Sequence, residues 1–220
     1  MNQRTTTDAQ NDLALRLEEL VARLLDALVV HPQAPPPALL LTSARAREGK
    51  TTIALALARV MARVTDEPIL LVDANLHVPG LATKLGLPPG PGLADALRAT
   101  GGGTPVNIFK HPVFEGVSAI TAGSEPHPVL LSRGRAVGSF RDQHTHGFRC
   151  IIFDGAENRL GGAALGKHVD GVVLTIDSSS TRREVIQGAI TDMRLPEGRI
   201  LGAVLNKRKH YIPKLFYKGL

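Results

Sequence analysis

At 220 residues and 43% hydrophobic, the chain can bury one good core, and a single α/β domain is the simplest organisation. It has no apolar run of about 18 residues or more that would span a membrane. The polar opening MNQRTTTDAQND lacks the apolar core of a signal peptide, so a cytoplasmic protein is expected. The net charge of +6 is concentrated in the last fourteen residues, where Lys207, Arg208, Lys209, Lys214 and Lys218 stand without an acid; 21 basic and 20 acidic residues remain elsewhere. That balance excludes a generally basic nucleic-acid-binding face.

In chain order, residues 1–12 are expected to be a disordered segment, 13–206 the folded domain and 207–220 a basic-aromatic tail. Leu17, Leu20, Val21, Leu24 and Leu28 form one apolar helical stripe, with Glu19 and Arg23 on its other side. His31 to Pro37 is a Pro-rich break. Ala38 to Thr42 reads as a strand, followed by a loop and an Ala-rich helix from Thr52 to Val64. That helix is apolar nearly all round, so it should lie against a sheet with Arg59 and Arg63 on its wet edge. Apolar, β-branched runs follow at Pro68 to Asp73, Val117 to Thr121, Cys150 to Asp154, Gly171 to Ile176 and Ile200 to Asn206. Runs apolar on both faces and separated by helical segments predict a mostly parallel sheet with helices on both faces. Gly101-Gly102-Gly103 reads as a mobile surface connection, and His144-Thr145-His146 as a solvated loop without metal-ligand companions. The single cysteine, Cys150, excludes an internal disulfide and reads as a buried small hydrophobe.

The loop between the first strand and its helix, Ala44-Arg45-Ala46-Arg47-Glu48-Gly49-Lys50-Thr51, fits a phosphate-binding loop with Ala in place of the first Gly. Backbone N–H groups of such a loop and of the first helical turn surround β- and γ-phosphates, aided by the helix dipole. Lys50 would supply a mobile cation to the phosphates, the Thr51 hydroxyl would ligate Mg²⁺, and Gly49 would admit the phosphate close to the backbone. Gly is usual where Ala46 and Arg47 stand, and a left-handed conformation at either would cost about 1–2 kcal/mol. Arg45 and Arg47 could offset this by pairing with phosphates, or could be solvated loop residues.

Ligands of parallel sheets bind beyond the carboxyl ends of the strands, which selects Thr42 to Thr51, Asp73, Asp154 and Asn206. Asp73 and Asp154 close the strands ILLVD and CIIFD. Carboxylates there can hold Mg²⁺ or accept a proton from an attacking hydroxyl; alternatively each caps the next turn.

The succession GKTT, ILLVDANLHVPGLATKLGLPPGPGLADAL, VSAITAGSEPHPVLLS, CIIFD and ILGAVLNKRKHYIP resembles the bacterial tyrosine kinases of capsule and exopolysaccharide synthesis. These belong to the P-loop ATPases that include the septum-positioning and partitioning proteins. The resemblance covers about residues 13–215 and is densest from Asp73 to Leu97. It implies a P-loop NTPase fold, ATP and Mg²⁺ as cofactors, and Gly49, Lys50, Thr51 and Thr52 as the first nucleotide motif. It implies catalytic roles for Lys50, Asp73 and Asp154, with Thr51, Asp73 and Asp154 at the metal, and it places Asn206 where related ATPases contact adenine. It also implies assembly into a homo-oligomeric ring and work with a membrane-spanning polysaccharide chain-length regulator at the inner face of the membrane.

The sequence departs from the family pattern in four places. The second motif, usually DxD, reads Asp73-Ala74-Asn75, and Asn cannot act as a general base. His77-Val78 replaces a basic pair. The glutamate-and-two-arginine spacing of the first helix is not intact around Glu19 and Arg23. Only Tyr211 and Tyr217 stand where a kinase would carry a tyrosine cluster. These departures favour an ATP-regulated binding module over an active tyrosine autokinase. A partitioning-type ATPase is a third reading, helped by Arg45 in the place of that group's signature lysine. The tail mixes five cations with Tyr211, Ile212, Leu215, Phe216, Tyr217 and Leu220, which suits a lipid headgroup region, a groove on a partner or the domain's own core.

Overall fold

Side chains on successive strand residues point to opposite faces, so a strand apolar at every position must be covered on both sides. The sequence supplies four such strands, and the computed structural model buries every residue of β1 (Ala38–Ser43), β2 (Ile69–Ala74) and β6 (Gly171–Asp177), and all but the last of β5 (Cys150–Glu157). The structure describes residues 17–28, 34–99, 104–194 and 198–207. The expectations for residues 1–12, for Gly101-Gly102-Gly103 and for the tail beyond Lys207, with Tyr211 and Tyr217, lie outside the described residues.

With β3 (Phe109–Lys110), β4 (Val117–Ile120) and β7 (Ile200–Asn206), the strands form one seven-stranded sheet in the order β3-β4-β2-β5-β1-β6-β7. All pairings are parallel except β3 with β4. Leu39, Leu41, Ile69, Leu71 and Ile152 face one side, where they meet a helix over residues 17–27 (α1) and α2 (Lys50–Thr65). Leu40, Leu70, Val72, Ile151 and Phe153 face the other side. There they meet residues of α4 (Leu93–Arg98), α5 (Gly134–His144), α6 (Gly162–Gly166) and α7 (Arg183–Arg194); the short α3 (Leu81–Leu85) precedes these in the chain. Helix α2 is sandwiched as its composition predicts, with Arg59 and Arg63 exposed and Arg63 pairing with Glu18 of α1.

Three expectations change. The two-residue β3 was not read from the sequence, because so short a strand has no periodicity to display. The covering of both faces stops at the sheet edge, where Gly202, Ala203 and Leu205 of β7 are exposed. Of His144 to His146 only His146 lies in an exposed turn: His144 ends α5 and tilts against Phe140, while Thr145 is buried and its hydroxyl donates to the Arg141 carbonyl (2.5 Å). Cys150 is buried within β5, and burial pushes its thiol up to about 12.

Among the described residues no helix is long and apolar enough to cross a membrane.

Candidate functional site

The carboxyl ends of β1, β2, β5, β6 and β7 bring together the residues that the strand-end rule selects. Asp73 and Asp154 are register partners on β2 and β5, and Ser43, which ends β1, leads into the loop. The loop closes on Gly49, whose φ of 97° makes it the left-handed N-cap of α2. No side chain caps this helix, so the first-turn N–H groups at Lys50, Thr51 and Thr52 point beyond the helix end with no intrahelical carbonyl to meet. Such an end is a ready anion site. Gly49 is required twice over, by its φ and because an added Cβ would stand 2.1 Å from Asn206 Nδ2.

Arg47 also adopts the left-handed conformation, at φ 59°. The strain anticipated for a non-glycine residue in this loop is therefore present, and Ala46 does not carry it. Arg45 and Arg47 both expose their side chains, and Arg45 lines a cleft of about 380 Å³ with Arg159, Glu184 and Asp192.

Glu48 is buried, and its carboxylate accepts hydrogen bonds from Arg45 N (2.9 Å), Asp177 N (3.2 Å) and the Thr181 hydroxyl. That carboxylate braces the loop against the β6–α7 connection, leaving the backbone N–H as the part of Glu48 that can face a phosphate. At the end of β7, Asn206 Nδ2 donates to the Glu48 carbonyl (2.9 Å), and Lys207 Nζ donates to the Arg47 carbonyl (2.7 Å) and to Asp177 Oδ2 (2.9 Å). The Ser179 hydroxyl and Lys207 hold the Asp177 carboxyl well below the usual carboxylate range. The Asn206 amide thus rests on the loop backbone, with one amide hydrogen and one oxygen lone pair left for a further partner.

Lys50 is buried and donates to Ser43 Oγ (2.8 Å), whose own hydroxyl donates to the Arg45 carbonyl (2.6 Å). Burial lowers the Lys50 pKa, and the carboxylates of Glu157, Asp154 and Glu48 pull it back up.

The two strand-end aspartates differ sharply. Asp73 accepts from Asn75 N (3.2 Å), Gly80 N (3.1 Å) and Leu81 N (2.9 Å), so it caps the turn into α3; burial raises its pKa and these three bonds restrain the rise. The Asn75 side chain accepts from Val78 N (3.2 Å) and serves the same turn. Asp154 is buried with Oδ1 lacking any hydrogen-bond partner. Burial pushes its carboxyl up to about 7, against a hydrogen bond from Thr51 and with the added repulsion of Asp73.

An orphaned carboxylate oxygen beside the Thr51 hydroxyl at the mouth of a phosphate loop fits Mg²⁺. Among the described residues no three His, Cys, Asp or Glu side chains converge as a metal cage. Mg²⁺ in phosphate sites takes one or two protein ligands and fills the rest of its octahedron with water and phosphate oxygens, so no cage is called for.

Sequence reasoning missed Asp177, Thr181 and Lys207 as site residues, and reached Ser43 only as part of the range Thr42 to Thr51. Asp177 closes GVVLTID as Asp73 closes ILLVD, so the strand-end rule would have reached it had the strand been carried one residue further.

A mostly parallel sheet whose first strand feeds a phosphate-type loop into a buried helix, with strand-end aspartates beside the loop, is the P-loop NTPase fold. No family model matches the sequence. The tyrosine-protein kinase YwqD of Bacillus subtilis (strain 168) is 29% identical over 181 residues, which span 77% of this chain and 72% of that protein. The kinase domain of VpsO is 27% identical with a TM-score of 0.67, over 91% of this chain and 98% of that one. The kinase domain of the Escherichia coli tyrosine kinase ETK is 23% identical with a TM-score of 0.69, over 79% and 69%. The chain is thus similar in sequence and fold to bacterial tyrosine kinases.

Proposed function

We propose that this protein is a Mg·ATP-binding regulator of polysaccharide polymerisation and export, with weak or no tyrosine phosphotransfer. One observation carries the reading: the Lys50–Thr51 loop opens directly onto Asp154, a buried carboxylate with an unpartnered oxygen. The backbone N–H groups from Glu48 to Thr52 hold the β- and γ-phosphates, and Lys50 leaves Ser43 to meet them. Arg45 and Arg47, both exposed at the loop's rim, pair with phosphate oxygens. Thr51 and Asp154 would hold Mg²⁺, with Asp73 beside them on the neighbouring strand, and the ion would supply charge neutralisation at the phosphates. Asn206 uses its spare amide hydrogen and lone pair on the adenine edge.

Weak phosphotransfer is supported by Asn75. A neutral side chain engaged with the Val78 N–H leaves Asp73 as the acid of this motif, and Asp73 is tied to three backbone donors. Its one remaining acceptor position is what an active autokinase would use to take the tyrosine proton.

The protein acts in the cytoplasm against a membrane-spanning chain-length regulator, as kinases of this family do, and its basic-aromatic tail adds a peripheral membrane contact. Self-association into a ring accompanies that role. The direct test is incubation of the pure protein with Mg·ATP, following phosphate release and phosphotyrosine together. Nucleotide binding with little of either supports the regulator. Rapid stoichiometric tyrosine phosphorylation would make it an autokinase.

A further inference from the structure

Two non-glycine residues with left-handed backbones, Arg47 (φ 59°) and Lys207 (φ 54°), are joined by a hydrogen bond from Lys207 Nζ to the Arg47 carbonyl. We infer that Lys207, with Asn206 beside it, is a positioning residue that holds the phosphate loop in its binding conformation and replaces the glycine the loop lacks at position 47. The inference deepens the proposed nucleotide site and rests on that reading.

The peptide unit is planar and trans, so its C=O and N–H point in opposite directions. Lys207 fixes the Arg47 carbonyl, which sends the Glu48 N–H away from the β7 end. Asn206 fixes the Glu48 carbonyl, which sends the Gly49 N–H the same way. Successive N–H groups turned to one side by left-handed residues form an anion-binding nest. A glycine at position 47 would adopt this conformation without penalty; an arginine there costs about 1–2 kcal/mol, and relaxing it would rotate the Glu48 N–H out of the nest. The cationic donor on the Arg47 carbonyl opposes that relaxation, because charge-assisted hydrogen bonds are about twice as strong as neutral ones.

Lys207 is itself held in place. Its ammonium also meets Asp177 Oδ2 at 2.9 Å, and Asp177 donates its own N–H to the Glu48 carboxylate that braces the loop from below. The clamp therefore closes a ring through the loop, the β6–α7 connection and the end of β7. Lys207 stands where β7 gives way to the basic tail, so a ligand that draws residue 207 off the loop would loosen phosphate binding.

The test is a double-mutant cycle with Lys207→Met and Arg47→Gly, measuring Mg·ADP affinity by calorimetry and the melting temperature of each ligand-free protein. The Lys207 side chain is 45% exposed, so its replacement leaves the core untouched. Lys207→Met is expected to weaken Mg·ADP about tenfold at an unchanged melting temperature. In the Arg47→Gly background the same replacement should cost less than about threefold, because glycine needs no clamp. Lys207→Arg, which keeps a cationic donor, should bind as wild type. Equal losses in both backgrounds, or no loss in either, would overturn the inference. So would a Lys207→Met protein that melts well below wild type and is not restored by Arg47→Gly, since Lys207 would then serve stability alone. Wild type that fails to bind Mg·ADP would instead remove the nucleotide reading itself.

Discussion

Asp73 and Asp154 are register partners on adjacent parallel strands, yet one carboxylate receives three backbone N–H donors and the other keeps an oxygen with none. The first is largely consumed in holding the turn before α3. The second remains for a ligand.

That contrast fixes a pH dependence. The Asp154 carboxyl is raised to about 7 in the folded protein, against about 3.9 in an unfolded chain. Between these values the native state holds a proton that the unfolded state has released, so the contribution of Asp154 is fully present below pH ~4 and is lost as pH rises through about 7. The ligand-free protein should lose melting temperature across this range, and Asp154→Asn should flatten the loss and melt higher above pH ~7. Mg·ADP should stabilise wild type more at pH 8 than at pH 6, where protonated Asp154 cannot hold the metal. Thermal melts of both proteins across this range check the sign; an Asp154→Asn profile parallel to wild type would contradict it.

Glu48→Ala should be among the more destabilising changes near the site. It leaves the N–H groups of Arg45 and Asp177 and the Thr181 hydroxyl without their acceptor. The expected cost is roughly 2–3 kcal/mol, or a melting temperature lower by about 5–10 °C. A melt within a degree or two of wild type would show that the brace carries little.

Asn75→Asp tests whether a missing acid limits chemistry. If it does, the variant should hydrolyse ATP or phosphorylate tyrosine at least about tenfold faster than wild type, within the usual range for a positioned acid or base. Phosphate release and intact-mass measurement read both activities. Equal rates would place the limit elsewhere, for example in the capping of Asp73.

The tail test must spare Lys207, since the structure ties that residue to the loop. A chain ending at Lys207 lacks Arg208, Lys209, Lys214 and Lys218, each worth about 1 kcal/mol at an anionic surface. Full-length protein should sediment with phosphatidylserine vesicles and the shortened protein should lose at least about tenfold in apparent affinity. Equal sedimentation of the two would exclude the tail as the contact.

The sheet and the phosphate loop were legible because they rest on local patterns. Runs such as ILLVD and CIIFD announce strands buried on both faces, and Gly49-Lys50-Thr51 between a strand and a helix announces an anion site. What could not be read is what depends on long-range contact. Glu48 looked like one more loop residue until Thr181, 133 positions away, was brought against it. Lys207 counted as the first charge of a basic tail, and only the pairing of β7 with β6 sets it 2.7 Å from the Arg47 carbonyl. The burial of Thr145 was hidden for the same reason, since its neighbours are polar and its packing is tertiary.

Lys50 offers the most direct test of the central claim that this loop binds Mg·ATP. Its ammonium is buried and held only by Ser43 among the hydrogen bonds described, so a phosphate would give it a stronger, charged partner. Calorimetric titration of wild type and Lys50→Ala with Mg·ATP should show binding by the wild type and a loss of about 10- to 100-fold or more in the variant, the scale of a hydrogen bond to a charged group. Equal affinities would take Lys50 out of the site, and heatless titrations of a folded wild type at several temperatures would contradict nucleotide binding altogether.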